Sequence, residues 1–252
     1  MTEVSVRIET EGATLVLTLD RPHKLNAIDQ KTSEELSRAL SDAETDPSIK
    51  VVVVTGAGGE VFCSGADLTC LADRDYPSMQ FGRFARHQSS KPIIVAANGS
   101  AYGGGVEIML SGDIVIVEEG CEFAFPELKV GIFPAAGGAL KLPRYIPQAA
   151  AMDLLLTGEA VGAERFYHLG LASRLVCRGK ACEEAMRIAE LVGSLPVESV
   201  KVVKEIASIS TGAIPAEQWS LNGLYADALR FSNESTRGPM VRNWARTEGS
   251  SE

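Results

Sequence analysis

Asn98-Gly99-Ser100-Ala101-Tyr102-Gly103-Gly104-Gly105-Val106-Glu107 joins one apolar run, Ile93-Ile94-Val95-Ala96-Ala97, to another, Ile108-Met109-Leu110. The first run reads as a strand and the second as part of a helix, which puts the glycines at a strand-to-helix turn. Three successive glycines leave no Cβ between the backbone and a ligand. The first N–H groups of a helix have no partner inside it, point outward, and hold developing negative charge. Glu107 follows in the first turn, so a backbone donor and an acid/base side chain border one space. The helix dipole alone also favours a glutamate there, and the stretch takes its meaning from what surrounds it.

On the amino-terminal side, Val4 to Glu9 and Thr14 to Asp20 alternate apolar and polar residues around Glu11-Gly12 and predict a β-hairpin. Pro22 breaks that ladder. Asp29 is placed to cap a helix over 30–45, with Leu36 and Leu40 on one face. Val51-Val52-Val53-Val54 predicts a strand buried on both faces. It ends in Thr55-Gly56-Ala57-Gly58-Gly59, which is not a dinucleotide fingerprint: Val61 stands at the third glycine position, and Phe62-Cys63-Ser64-Gly65 opens no helix. Asp67 reads as the cap of a further helix, followed by a polar stretch over 69–90.

On the other side, strands are predicted at 113–117, 121–125 and 173–176, with an irregular loop at 131–138. Helices are predicted at 138–142, 147–156 and 163–169, then at 180–193, 197–209, 215–231 and 234–246. Strands alternating with helices make an α/β core. The helical tail carries more apolar residues than a small helical hairpin buries. It packs either on a neighbouring copy or on its own core, and the pattern leaves both open.

The chain has 252 residues, 45% hydrophobic and 23% charged, enough for a sizeable core. Its net charge of -9 argues against non-specific nucleic-acid binding. The five cysteines, Cys63, Cys70, Cys121, Cys177 and Cys182, contain no CxxC pair and read as small buried hydrophobes in a reducing compartment. Met1-Thr2-Glu3-Val4 lacks signal-peptide character, and no run reaches the length of a membrane span, so a cytoplasmic protein without a membrane partner is expected. None of the three histidines, His23, His87 and His168, stands by a nucleophile, and no metal-ligand spacing occurs. Two carboxylates stand out: Glu107, and Glu127 after Pro126. Phe123, Phe125, Leu128 and Phe133 surround Glu127 in sequence, and an apolar wall raises a carboxyl pKa toward neutrality. An ordinary solvated loop glutamate is the competing reading.

Taken in order, Arg21-Pro22-His23-Lys24-Leu25-Asn26-Ala27, Phe62-Cys63-Ser64-Gly65-Ala66-Asp67-Leu68, Lys91 to Gly99, Gly103 to Glu107, Phe123 to Gly131, Pro134 to Gly138, Leu156-Thr157-Gly158 and Gly170-Leu171-Ala172 resemble the crotonase superfamily, that of enoyl-CoA hydratase and isomerase. The resemblance runs from 4 to 200. It implies an α/β fold, a spiral of repeated ββα units over 1–195, with a helical region at 196–252 used in assembly as a homotrimer or homohexamer. It implies an acyl-CoA substrate and no separate cofactor, coenzyme A being part of the substrate, and no metal. It places the thioester oxygen between the backbone N–H groups of Ala66 and Gly104. It matches Glu107 and Glu127 to the two glutamates that flank the reacting carbons in hydratases. Lys24, Leu25 and Ala27, with Ser64, Gly65, Ala66, Asp67, Leu68 and Gly104, match its substrate and CoA-binding positions.

Retention of both glutamates favours syn addition of water to a trans-2-enoyl thioester, giving a 3-hydroxyacyl-CoA in fatty-acid or related acyl-CoA degradation. Double-bond isomerisation, carbon–carbon lysis and a non-catalytic acyl-CoA-binding role are the rivals on the same scaffold. The sequence departs from the family at 69–90, which shapes the acyl pocket there, and at Val241-Arg242-Asn243-Trp244-Ala245-Arg246, where no CoA contact is carried over.

Overall fold

The computed structural model describes residues 4–69, 83–210 and 214–232. Six strands make one sheet: β1 (Val6–Glu11), β2 (Thr14–Leu19), β3 (Val51–Gly56), β5 (Ile93–Ala97), β7 (Ile114–Glu118) and β10 (Arg174–Val176), adjacent in that order. β1 and β2 form the expected antiparallel hairpin, and every other pair is parallel. A second, smaller sheet holds β4 (Val61–Cys63), β6 (Ser100–Tyr102), β8 (Glu122–Ala124) and β9 (Val161–Gly162). Three long strands thus each hand the chain to a short one: β3 to β4, β5 to β6 and β7 to β8. The spiral of ββα units rests on this repeat.

The helices are α1 (Gln30–Thr45), α2 (Arg83–Arg86), α3 (Gly104–Met109), α4 (Gly138–Tyr145), α5 (Gln148–Thr157), α6 (Ala163–His168), α7 (Ala181–Gly193), α8 (Val197–Ser210) and α9 (Ala216–Ser232). One-turn helices lie at Pro22–Lys24 and Pro126–Val130. Asp29 caps α1 as expected, its Oδ1 accepting from the Thr32 N–H at 2.8 Å.

Alternation along the β-branched strands divides the core. Val52, Val54 and Val95 face the main core with Phe62, Phe123 and Phe166. Val51, Val53, Ile94 and Ile116 face the other side and meet Ala181, Ala185 and Ile188 of α7. The buried Glu118 fixes that helix, accepting from the Gly179 N–H at 2.8 Å and the Ala181 N–H at 2.9 Å. Those two bonds satisfy donors at a helix start, which have no partner within the helix.

Several expectations change. The 98–107 stretch is not a plain strand-to-helix turn, because Ser100–Tyr102 forms β6 first. A three-residue strand between glycines is too short to show a period. Asp67 caps no described helix; its Oδ1 accepts from the Thr69 N–H two residues on, and Oδ2 faces Arg21. Cys63 and Cys121 are buried as expected, whereas Cys177 and Cys182 are exposed. Cys70, most of 69–90, and the 234–246 helix with the Val241–Arg246 region lie outside the described residues. No helix among the described residues is long and apolar enough to cross a membrane.

The tail touches its own core. Lys204 Nζ of α8 pairs with Asp113 at 2.6 Å and donates to the Lys91 carbonyl at 2.8 Å. Asn222 of α9 donates through Nδ2 to the Ala135 carbonyl at 2.6 Å. Val202, Val203, Ile206, Leu221, Leu224 and Tyr225 remain exposed on the two helices.

β4 and α3 approach so closely that a Cβ at Gly105 would overlap the Cys63 carbonyl. Overpacking of that kind costs about 1–3 kcal/mol. A Gly105→Ala variant should lose about that much unfolding free energy in urea, and wild-type stability would show that the two elements slide apart freely.

Candidate active site

Two loops converge on Gly104. The first, 21–29, is held by Arg21, a buried guanidinium that pairs with Asp29 at 3.2 Å and Asp67 at 3.3 Å and donates to the Ala27 carbonyl at 2.7 Å. Asn26, 1% exposed, donates to the Ala57 and Val61 carbonyls at 2.9 Å each and accepts from the Arg21 N–H. Leu25 and Asn26 both take left-handed φ values, 50° and 54°, and these anchors hold them there.

The second loop, 63–67, is strung along the first. Ser64 N–H donates to the Leu25 carbonyl at 3.0 Å, Ile28 N–H to Gly65 at 2.8 Å, and Asp67 N–H to Ile28 at 2.8 Å. This is a one-residue parallel bridge between Ile28 and Ala66. Gly65 and Asp67 spend their groups on Ile28, so the intervening Ala66 directs its own N–H to the opposite side. Gly65 has φ 94°, and a Cβ there would fall 3.0 Å from the Gly104 nitrogen. The Ala66 and Gly104 amides thereby border one space, and Gly104, first residue of α3, has an N–H with no helical acceptor.

Of the other matched positions, Ala27 lies buried beneath this junction. Ser64 and Leu68 are half-buried along it, and Lys24 and Leu25 are exposed on the outer turn. An apolar pocket adjoins Gly104, walled by Ile28, Leu36, Phe84, Ile108 and Ala136.

Both glutamates are buried at or beside α3. Glu107 on α3 is 2% exposed, and its Oε1 accepts from the Gly138 N–H at 2.7 Å. The Ala136 and Gly137 amides also stabilise its charge, but burial outweighs them and Lys141 together, and its pKa is pushed up to about 7. Glu127, in the Pro126–Val130 turn, is 9% exposed, and a Cβ on Gly103 would lie 2.8 Å from its Oε1. Burial, then the Glu107 charge, raise its pKa well above the ordinary carboxyl value. Its Oε2 is buried and has no hydrogen-bond partner among the described residues. The solvated-loop reading of Glu127 is therefore set aside.

Sequence reasoning missed two contributors. Lys141 on α4 is buried beside Glu107, and nothing in Gly138-Ala139-Leu140-Lys141 distinguishes it from a surface lysine. Trp219 of α9 lies over the loop that binds Glu107, its ring 3.0 Å from where a Gly137 Cβ would stand, with the Arg86 guanidinium 5.9 Å from the ring centroid. Among the described residues no cluster of histidine, cysteine and carboxylate side chains is arranged to hold a metal ion.

The raised carboxyl of Glu127 links to stability. The folded chain binds this proton more tightly than the unfolded chain does. The resulting stabilisation is complete below the unfolded carboxyl pKa and is lost as pH rises through the folded one. As pH rises above the ordinary carboxyl range, Glu127→Gln should lose less unfolding free energy than the wild type. Parallel pH profiles in denaturant titrations would contradict the raised pKa.

Comparison with known proteins identifies the family. The family model described as enoyl-CoA hydratase/isomerase matches residues 9–223. A carnitinyl-CoA dehydratase of Proteus mirabilis (strain HI4320) is 35% identical over 247 residues, covering 94% of each chain. One from Escherichia coli (strain K12) is 37% identical over 249 residues with the same coverage. The crystal structure of a carnitinyl-CoA hydratase from Mycobacterium avium superposes with a TM-score of 0.88 at 32% identity, covering 97% of both chains. An enoyl-CoA hydratase/isomerase from Mycobacterium paratuberculosis gives 0.85 at 26% identity, covering 94% of this chain and 98% of that one. With the matched family model spanning the strands, the two converging loops and both glutamates, the chain belongs to the enoyl-CoA hydratase/isomerase family of the crotonase superfamily.

Proposed function

We propose that this protein is a hydro-lyase that interconverts a trans-2-enoyl-CoA and its 3-hydroxyacyl-CoA by syn addition or removal of water. The observation that carries the reading is the pair of buried, electrostatically coupled carboxyls, Glu107 and Glu127, beside the outward-facing amides of Ala66 and Gly104.

In the hydration direction, the thioester oxygen lies between the Ala66 and Gly104 N–H groups. Glu107, whose carboxylate is supported by backbone amides at 136–138, takes a proton from water as the oxygen of that water bonds to Cβ. The π electrons move to the thioester, whose enolate oxygen the two amides stabilise. Glu127, protonated, delivers its proton to Cα. Because the carboxyls repel each other, ionising one keeps the other neutral, and the pair titrates as a unit. Coenzyme A arrives and leaves as part of the substrate. Lys24 is positioned for a CoA phosphate on the exposed turn, with Leu25, Ala27 and 64–68 lining its approach. Ile28, Leu36, Phe84 and Ile108 line the apolar side of the site, toward which the acyl chain would lie.

A second reading, dehydration of carnitinyl-CoA, is favoured by the names of the relatives and uses the same two carboxyls on a different acyl group. Assembly into trimers that pair as hexamers accords with the exposed apolar residues of α8 and α9.

The test is incubation with a panel of acyl-CoAs, carnitinyl-CoA included, with products identified by mass. A short trans-2-enoyl-CoA should lose its conjugated absorbance and gain one water. Glu107→Gln and Glu127→Gln should each lower kcat by about 10² to 10⁴, the usual contribution of a general acid or base, while CoA-ester binding persists. The double variant should be little worse than the singles. Movement of a double bond with no gain of water would make the protein an isomerase instead. Light scattering should report a multiple of three chains, and an active monomer would remove the assembly proposal.

A further inference from the structure

Lys141 is 9% exposed, and its ammonium donates to the Ala85 carbonyl at 2.8 Å, Ser111 Oγ at 3.0 Å and the Leu110 carbonyl at 3.3 Å. Each of these acceptors is an uncharged oxygen. A buried ammonium is costly unless an opposite charge compensates it. The carboxylate that attracts it is Glu107, and the attraction acts on both groups: Lys141 favours the charged form of Glu107, and Glu107 that of Lys141.

The same side chain is tied to Glu107 through the backbone on two sides. Lys141 stands one turn after Gly138, whose N–H holds Glu107 Oε1. Leu110 and Ser111 directly follow α3, the helix that carries Glu107, and the Ser111 hydroxyl donates to the Glu107 carbonyl at 2.9 Å. Ala85 belongs to α2, whose Phe84 walls the apolar pocket. One ammonium thus fastens the start of α4, the end of α3 and α2 around a single carboxyl. A six-residue α3 has little rigidity of its own.

We propose that Lys141 is a positioning residue for the reaction, its ammonium serving as counter-charge to the Glu107 carboxylate and fastening the helix ends that aim it. The proposal rests on the hydro-lyase reading of Glu107. Other ionisable groups surround this cluster. Glu127 faces Glu107 from the Pro126–Val130 turn. Tyr145 and Arg144 follow on α4, the Tyr145 hydroxyl donating to the Leu110 carbonyl at 3.5 Å. Arg83 and Arg86 lie on α2, with Arg86 turned to Trp219. Of these charges, Lys141 acts on Glu107, and Glu107 in turn acts on Glu127.

The sign of the effect follows. Burial pulls Lys141 down to about 8, so it is protonated where Glu107 begins to ionise, near 7. Removing the ammonium leaves burial acting on Glu107 with less opposition, and its proton is held to higher pH. Lys141→Met should raise the Glu107 midpoint by about one pH unit or more, and Lys141→Arg, which keeps the charge, should restore most of it. In isotope-labelled protein without substrate, the carboxyl signal absent from Glu107→Gln identifies the group being titrated. In the hydration assay the acid limb of the pH profile should shift with the same midpoint. At pH near 7 that lowers kcat by on the order of tenfold, with KM little changed and activity recovering as the pH is raised.

A folded Lys141→Met protein whose Glu107 midpoint stays in place would overturn the proposal, whatever its activity. Should that variant fail to fold, the reciprocal measurement decides. With nitrogen-labelled lysine, the Lys141 midpoint of Glu107→Gln should fall below its wild-type value, and an unchanged midpoint overturns the proposal. A wild type that hydrates no enoyl-CoA but shows both midpoint shifts would sink the hydro-lyase reading while leaving the electrostatic link intact.

Discussion

Two carboxyl groups share one water-poor space, and most of the local architecture answers to that. A lone buried carboxylate is penalised by lost hydration; a second one adds repulsion, so at most one carries charge at a time. Glu107 receives three backbone amides from the start of α4 and a nearby ammonium. Glu127 receives little beyond the turn that places it, and one of its oxygens has no hydrogen-bond partner. Similar side chains are thus given unequal support for a negative charge by what the backbone offers each of them. The asymmetry is built before any substrate arrives, so little reorganisation remains to be done at the moment of reaction.

The spiral makes such crowding possible. Each turn of chain runs up a long buried strand, crosses into a short strand of the second sheet, and then turns outward. Gly56 at the end of β3 is bound on both its polar groups by the Asn98 side chain, which keeps neighbouring turns level. With their ends aligned, 63–67 and 103–105 meet backbone to backbone, a closeness that only residues without Cβ permit at Gly65 and Gly105. Arg21 and Asn26 hold the 21–29 loop against this junction through carbonyls and carboxylates contributed by three separate segments.

Much of this is legible in the linear chain. α1 begins and ends where Asp29 and the Leu36/Leu40 spacing place it, and β3 shows in four consecutive valines. The glycine turn and Glu107 announce themselves locally. Glu127 is a different matter: its aromatic neighbours in sequence hint at burial, but the carboxyl that raises it comes from another turn of the spiral. β4, β6 and β9 have no sequence signature because two or three residues display no period. Lys141 is invisible for a related reason. Its burial is decided by Ala85 and Leu110, which reach it only through tertiary packing, while its own neighbours read as an ordinary amphipathic helix. The cysteines mislead in the opposite sense, since composition alone does not separate the buried Cys63 from the exposed Cys182.

The contact of α9 with the 135–137 loop gives time a part in the construction of this site. Asn222 holds the Ala135 carbonyl and Trp219 covers Gly137, so the amides that receive Glu107 are roofed by a helix some eighty residues further along the chain. A chain synthesised from its amino terminus completes every strand of both sheets before that helix leaves the ribosome. The nascent spiral therefore carries both carboxyls before the helix that roofs this loop exists, and the enclosure of the site is finished only when the last described helix folds back onto 135–137.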